Sequence, residues 1–420
     1  MHTNKITEAF VHGGETFFKI KNNFYHIDFN SKKVREFEID PRTLPLKEEI
    51  TQIPKWTRFE SICLFLTERC NLRCVYCYAN GGRYNKEIDM NLAKLAIDLF
   101  LKQNNSEEIR ISFHGGGEPT LALKQIKEIL KYASKKRKIK ASIASNGTAK
   151  IEDYKWLMEN GFSITFSIDG PPHIQDAQRP RIDGSKSSEI VEKNIKELSK
   201  KFKIFIRPTF TKTTLENLEE VIKYFSEIGV TSILAEPMFR SGRAKENENL
   251  IPTSAEFIEK LPELYEYAEK YGLQIKRSTY TPTSSKRKTF CGAIQSIQMV
   301  VTPTGKITAC YEVTNEDNEF WNLFNIGYIN QETKKLVIDR NKISSLKERT
   351  VDSISECQKC FAKYKCGSGC PIKVLQLSGT FKGVDKGYCK LAKENMLYIV
   401  ENIIKKSKQK GGKNDEQRNS

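Results

Sequence analysis

From Ser61 onward the chain repeats one pattern: a short apolar run, then a stretch whose apolar residues recur every three to four positions. The apolar runs are Ser61–Thr67, "IRISFH", "KASIAS", "FSITFSI", "FKIFIRPTF" and "TSILAEP". Between them, Asp89 can N-cap a helix "MNLAKLAIDLFLKQ", a second helix starts near Leu121, and "EDYKWLMEN" closes at Gly161. A further helix covers about 187–200, "LENLEEVIKYFSEI" ends at Gly229, and one long helix covers about 255–271. Six β-then-α units with near-continuous apolar strands predict a parallel sheet with right-handed crossovers. An incomplete barrel and a doubly wound sheet both satisfy this pattern. In either, functional residues gather at the C-terminal ends of the strands.

Ahead of this rhythm, "FFKIKNNFYHIDFNSKKVREFEI" alternates apolar and polar positions around two turn signals and predicts a small β-hairpin or meander. "RTLPLKEEITQIPKW" reads as a linker. After Thr281, short strands ("IQSIQMVVTP", "GKITACYEV") and close-set cysteines replace the rhythm. "KKSKQKGGKNDEQRNS" carries charge without apolar anchors and predicts a disordered tail. The expected organisation is a β-rich region and linker over 1–58, an α/β core over 59–280, a cysteine-rich domain over 281–405 and a tail over 406–420.

The unusual residues sort onto one rim. "TERCNLRCVYCYANGG" follows the first strand, "HGGGEPT" the second, "SNGT" the third and "SIDGPP" the fourth; Arg207 and Thr209 end the fifth, and Glu236-Pro237 ends the sixth.

Charge and compartment narrow the chemistry. The formal net charge is +17, with lysines spread along helices rather than interleaved with aromatics. That spread describes a solvated surface or a site for an acidic partner, and argues against a nucleic-acid groove. The N-terminal residues lack an apolar signal segment, and no apolar run has membrane-spanning length, so a cytoplasmic protein with no membrane partner is expected. In a reducing compartment eleven cysteines read as metal ligands or catalysts rather than disulfides. One is Cys63, in an apolar strand where it is a core residue; three lie at 70–77 and seven between 291 and 389.

Cys70, Cys74 and Cys77 have the spacing C-x3-C-x2-C. A zinc site would ask for four ligands, whereas three thiolates suit three irons of a 4Fe–4S cubane and leave the fourth open. Packing as small buried hydrophobes is the bland alternative, against which stand the polar neighbours Arg69, Asn71 and Arg73. Later, Cys291 is followed by thirteen residues, Gly305, four residues and Cys310; then come Cys357-x2-Cys360-x5-Cys366-x3-Cys370 and Cys389. Read alone, this second set also admits a zinc ribbon, and with it a basic zinc-binding nucleic-acid module.

"CNLRCVYC" resembles the signature of the radical S-adenosylmethionine (SAM) enzymes, and the motifs after strands two to four resemble theirs, over about residues 60–240. The resemblance implies a partial (β/α)6 barrel whose open iron chelates SAM. It further implies that an electron from the cluster cleaves SAM to a 5′-deoxyadenosyl radical that abstracts hydrogen from substrate. By the same resemblance, Gly116, Gly117 and Glu118 meet the SAM amino group, and Ser145 and Asn146 contact the cofactor. Ser167, Asp169 and Arg179 hold its carboxylate and ribose, and Tyr76 lies beside the adenine. The second cysteine set resembles the SPASM extension. That implies two auxiliary 4Fe–4S clusters, three in all: one on Cys357, Cys360, Cys366 and Cys389, the other on Cys291, Cys310 and Cys370 with one iron lacking a cysteine. A substrate cysteine thiolate, Glu312, Asp352 or water can fill that place. The family acts on peptides and proteins. Its sulfatase-maturating members carry an aspartate directly after the cysteine of the "GxxxxC" element, where this chain has Tyr311 and then Glu312. The expected function is therefore a maturase forming a thioether or other crosslink in a ribosomal peptide, with a flavodoxin- or ferredoxin-type electron donor. A sulfatase-type maturase is the alternative within the class. Some peptide maturases begin with a leader-binding domain, whose opening strands the segment Phe17–Glu38 resembles.

Overall fold

The structure, a computed structural model, describes residues 5–29, 31–44, 56–278, 286–295 and 297–416. Most of the expected linker (45–55) and the last four residues lie outside them.

The N-terminal segment is a four-stranded antiparallel meander: β1 (Glu8–His12), β2 (Glu15–Ile20), β3 (Asn23–Asp28) and β4 (Lys33–Phe37). The alternation after Phe17 marks three of these strands, and β1 adds a fourth. Its apolar face (Phe18, Ile20, Tyr25, Ile27) packs on Met396, Val400 and Ile404 of the C-terminal helix Lys386–Glu416 and on Ala362. The two ends of the chain therefore share one small core. No helix of the described residues completes this meander into a leader-binding fold.

All six expected core strands form: β5 (Ser61–Leu64), β6 (Glu108–Phe113), β7 (Lys138–Ser145), β8 (Ser163–Phe166), β9 (Ile204–Ile206) and, after the short β10 (Thr209–Phe210), β11 (Val230–Leu234). β10 pairs in parallel with β12 (Glu236–Pro237) as a separate two-stranded ladder on the rim. Neighbours in the main sheet follow sequence order, β5-β6-β7-β8-β9-β11, all parallel. Sequential order without a reversal is the winding of a barrel. A doubly wound sheet would reverse direction at a switch point. The sheet stays open, and its extra strands are the surprise. β13 (Gln274–Lys276) adds in parallel beside β11, and β14 (Gln298–Val301) adds in parallel beside β5. β15 (Lys306–Thr308), β16 (Asn325–Asn330) and β17 (Lys335–Ile338) continue antiparallel from β14. The expected boundary near 281 is therefore no break in the sheet. The cysteine-rich region extends the core, and Met299, Val301, Ile307 and Phe324 belong to the same apolar cluster as Ile62 and Leu64.

The helices follow the pattern with four corrections. Asp89 caps α1 (Met90–Gln103) by accepting from the amides of Asn91 and Leu92. α2 (Leu123–Ser134) and α3 (Ile151–Glu159) come next, followed by a short α4 (Pro172–Gln178) that the sequence reading passed over; its N-terminal proline is suited to a helix start. α5 (Ser188–Ser199) lies where expected, but the helix expected over "LENLEEVIKYFSEI" forms as α7 (Leu218–Glu227), preceded across Asn217 by a short α6 (Lys212–Glu216) that starts earlier than expected. The long helix expected over 255–271 is two, α8 (Ser254–Glu259) and α9 (Leu261–Lys270), because Pro262 cannot donate to the preceding turn. The tail expected to be disordered from 406 is helical through Glu416. Extending an anchored helix avoids the cost of nucleation, so polar residues follow it. No described helix is long and apolar enough to cross a membrane.

Candidate functional site

The three-cysteine loop leaves β5 and is held from several sides by main-chain bonds. The Arg73 amide donates to the Pro180 carbonyl (2.8 Å) and the Val75 amide to the Gln178 carbonyl (3.0 Å), zipping the loop to the segment after α4. Two arginines fill its turn. The Arg73 guanidinium donates to the Cys70 and Leu72 carbonyls at 3.1 and 3.0 Å. Arg243 Nε donates to the Cys74 carbonyl at 2.9 Å, and the Arg243 amide to the Cys77 carbonyl at 3.1 Å. The sequence marked Arg73 only as a polar neighbour of the cysteines and did not mark Arg243 at all, because a lone arginine in a loop carries no periodic signal.

The glycine loop after β6 packs against the cysteine loop itself. The Gly117 amide donates to the Thr67 carbonyl at 2.9 Å and the Glu118 amide to the Arg69 carbonyl at 2.8 Å. A Cβ on Gly117 would lie 1.9 Å from the Arg69 oxygen, and Gly116 sits at φ +67°. These glycines therefore allow two backbones to meet.

Glu118 is buried and spends its carboxylate on the protein. Oε1 accepts from the Thr120 amide (3.1 Å), Thr120 Oγ1 (2.7 Å) and Ser145 Oγ (2.8 Å), and Oε2 accepts from the Asn146 amide (2.8 Å). Burial pushes its pKa up, against these hydrogen bonds. Asn146 Nδ2 donates to Asn71 Oδ1 at 2.8 Å, and Asn71 Nδ2 to Thr148 Oγ1 at 2.8 Å, so one network ties the loops after β5, β6 and β7 together. Asn71 was not among the expected site residues.

Asp169, fully buried, forms a two-pronged ion pair with Arg179: Nε to Oδ2 at 2.9 Å and Nη2 to Oδ1 at 3.1 Å. It also accepts from Gln178 Nε2 (2.9 Å), the Thr209 amide (2.9 Å) and the Tyr76 hydroxyl. Arg179 lies over the Tyr76 ring, 5.2 Å from its centroid, and points Nη1 at Cys74 Sγ, 3.9 Å away. Protein donors thus meet both oxygens of Asp169. The Ser167 amide donates to the Ser145 carbonyl at 2.8 Å, beside this network.

The expected cysteine groups come together. Cys70, Cys74 and Cys77 act electrostatically on one another. So do Cys291, Cys310 and Cys370, and likewise Cys357, Cys360, Cys366 and Cys389. Burial pushes the thiols up, Cys70 to about 12 and Cys74 to about 11 in the first group, Cys370 to about 12 in the second, Cys366 to about 12 in the third. The Gly81 amide donates to Cys77 Sγ at 3.3 Å. Cys63 stands apart, buried with Phe65, Val300 and Tyr311, as a core residue. Among the described residues no three His, Cys, Asp or Glu side chains converge on the position of a single metal ion.

Between the first two cysteine groups lies an aromatic and charged wall, to which Tyr78, His114 and Lys373, not singled out by the sequence, contribute beside Arg207, Tyr311 and Glu312. His114 stacks on Tyr311, with centroids 4.9 Å apart and planes at 13°, and its Nδ1 meets the Tyr78 hydroxyl at 3.4 Å. Tyr78 directly follows Cys77, and Tyr311 directly follows Cys310. Burial, and then the charge of Arg207, push the His114 pKa down to about 4, so the ring is neutral near pH 7. The Tyr311 hydroxyl turns toward Ser112, 3.5 Å away, and toward Cys63. The Glu312 carboxylate instead lies within reach of Cys310, Cys370, Lys373 and Arg207, and its buried Oε2 has no hydrogen-bond partner. Asp352 is exposed and paired with Lys288 at 2.8 Å.

Comparison with known proteins places this arrangement. Residues 64–225 match the model of the Radical SAM superfamily. An uncharacterized protein of Methanocaldococcus jannaschii is 35% identical over 211 residues, 49% of this chain and 71% of that one. A cysteine-type anaerobic sulfatase-maturating enzyme of Clostridium novyi is 26% identical over 330 residues, 72% of this chain and 85% of its own. Among solved structures, anSMEcpe with bound AdoMet and a Cp18Cys peptide superposes with a TM-score of 0.64 at 20% identity, over 83% of this chain and 99% of that one. SuiB of Streptococcus suis bound to its precursor peptide SuiA gives 0.54 at 14% identity, over 79% and 76%.

Proposed function

The chain belongs to the radical SAM superfamily, and from that premise we propose that it is a maturase that takes hydrogen from a ribosomal peptide and closes a thioether or other crosslink in it. Reductive cleavage of SAM at a 4Fe–4S cluster supplies the 5′-deoxyadenosyl radical for that chemistry. Cys70, Cys74 and Cys77 would hold this cluster. Cys291, Cys310 and Cys370 would hold a second, and Cys357, Cys360, Cys366 and Cys389 a third. The donor sets fit: three or four thiols per group, grouped more loosely than a single-ion site, with burial pushing Cys70 and Cys366 so far up that only strong cationic partners would keep them as thiolates. A flavodoxin- or ferredoxin-type protein is the proposed electron donor.

The observation that carries the reading is the hydrogen-bonded union of the three-thiol loop with the rim loops after β6, β7 and β8. Each named side chain then has a task. Glu118 locks the glycine loop to Ser145 and Asn146, fixing the main chain that faces SAM. Arg179, charge-balanced by Asp169, orients Tyr76 as a flat wall for the adenine. Tyr78, His114 and Tyr311 line the space between the first and second cysteine groups and exclude water from it. Arg207, Lys373 and Glu312 give that space fixed charges against which a peptide backbone can be oriented.

A peptide substrate suits two structural neighbours that hold peptides. A crosslink is favoured over formylglycine because Tyr311, which follows Cys310, turns its hydroxyl to Ser112 and leaves no base at that position. The test uses the oxygen-free enzyme with SAM, dithionite and a Cys-containing substrate peptide. The expected product is lighter by a pair of hydrogens, inert to aldehyde-reactive probes, and accompanied by 5′-deoxyadenosine carrying deuterium from a labelled peptide. An aldehyde-bearing product would make it a sulfatase-type maturase.

A further inference from the structure

Arg349 is one of the largest fully buried side chains, with none of its surface exposed. It follows the helix Arg340–Lys347, and its amide donates to the Leu346 carbonyl. The guanidinium donates only to main-chain oxygens: Nη1 to the carbonyls of Phe381 and Gly383 (3.1 Å to the latter), and Nη2 to the Ser368 carbonyl at 2.8 Å. Its Nε is buried with no hydrogen-bond partner. No carboxylate pairs with it among the described residues. A guanidinium cannot shed its proton in a protein, and a buried unpaired charge costs several kcal/mol. Carbonyl dipoles hold such a group in place, but they do not cancel its charge.

The groups whose charge would act on it are cysteines from both C-terminal sets: Cys357 and Cys366 of one, Cys291 and Cys370 of the other. Ser368, one of its anchors, lies between Cys366 and Cys370 in sequence, so the same short turn carries a ligand of each set and the oxygen that fixes the arginine. As neutral thiols these cysteines would leave Arg349 without a counter-charge. Bound to iron they carry the negative charge the pocket lacks.

We propose that Arg349 is the shared counter-cation of the two auxiliary clusters, a positioning residue that sets the charge, and so the reduction potential, of both. This rests on the assignment of the seven C-terminal cysteines to two clusters. A fixed positive charge stabilises whichever form of a cluster carries the extra electron, so its loss should move both potentials in the negative direction. Arg349→Met keeps much of the apolar stem and removes the charge. Arg349→Lys keeps the charge and loses the planar fork.

The experiment is an EPR redox titration, with iron and sulfide analysis, of full-length protein carrying Cys70, Cys74 and Cys77→Ala so that only auxiliary signals remain. Arg349→Met should either shift both auxiliary potentials negative or fail to retain iron at both sets, and Arg349→Lys should restore most of what is lost. Two loaded clusters with unchanged potentials in Arg349→Met would overturn the proposal. So would a shift confined to one cluster, or an Arg349→Lys protein indistinguishable from Arg349→Met. Absence of auxiliary iron from the parent protein would instead remove the cluster assignment on which the proposal rests.

Discussion

The two cysteine-bearing regions solve the same electrostatic problem in opposite ways. Around Cys70–Cys77 the protein balances its own charges. The buried Arg179 is matched by Asp169, while Arg73 and Arg243, which donate to loop carbonyls, are only partly buried and keep solvent contact. Around the C-terminal cysteines one charge is left open: Arg349 lies buried with no carboxylate paired to it among the described residues. The first region is a scaffold that stands ready before its guest arrives. The second is complete only with a guest that brings negative charge.

The largest effect should come from removing iron. Chelation leaves Arg349 an unpaired buried cation, at a cost of about 3–5 kcal/mol. Amide exchange in 349–389 should then rise roughly a hundredfold or more, while β5–β9 stay protected, as read by hydrogen exchange and mass spectrometry. Equal acceleration in both regions would abolish the contrast. Arg179→Met makes the converse break. It strands Asp169, with a similar expected loss of about 3–5 kcal/mol, and should loosen the first cysteine loop without moving the auxiliary signals.

His114 touches both regions, through Tyr78 and Tyr311, and gives the contrast a pH axis. Its folded pKa of about 4 lies below the unfolded value of about 6.5. The unfolded chain therefore binds the proton first as pH falls. The stability tied to the neutral ring is present above about pH 6.5 and is lost progressively toward pH 4, by at most about 3 kcal/mol. His114→Gln should flatten the unfolding midpoint across that window, as followed by thermal melts at stepped pH. The smallest effect is expected at Glu118. Glu118→Gln swaps one acceptor for a donor among four donors, which should weaken SAM binding about ten- to a hundredfold and leave all the iron in place. Unchanged SAM affinity in a binding titration would separate that network from the cofactor.

Much of this was legible in the sequence because it is periodic or crowded. Six apolar runs became six parallel strands; spacing marked Cys70, Cys74 and Cys77 as one group, while the division of the seven later cysteines came only from the family resemblance. What escaped was long-range. β14 joins β5 across more than two hundred residues, and no local pattern in "IQMVV" names its partner. The roles of Arg73, Arg243, Arg349, Asn71 and His114 depend on which carbonyl, amide or ring each one meets. Such encounters arise only once the loops are stacked on the rim. The same holds for Asp169: its motif was visible, but its saturation by Arg179, Gln178, Thr209 and Tyr76 was not.

The account stands on the division of labour between the two regions, and one preparation tests it most directly. Full-length protein with Cys70, Cys74 and Cys77 all changed to Ala is purified without oxygen, and its iron content and 5′-deoxyadenosine formation with SAM and dithionite are measured together. Loss of 5′-deoxyadenosine with auxiliary iron retained is the expected result. Continued 5′-deoxyadenosine formation, or loss of all iron with the three thiols, would contradict it.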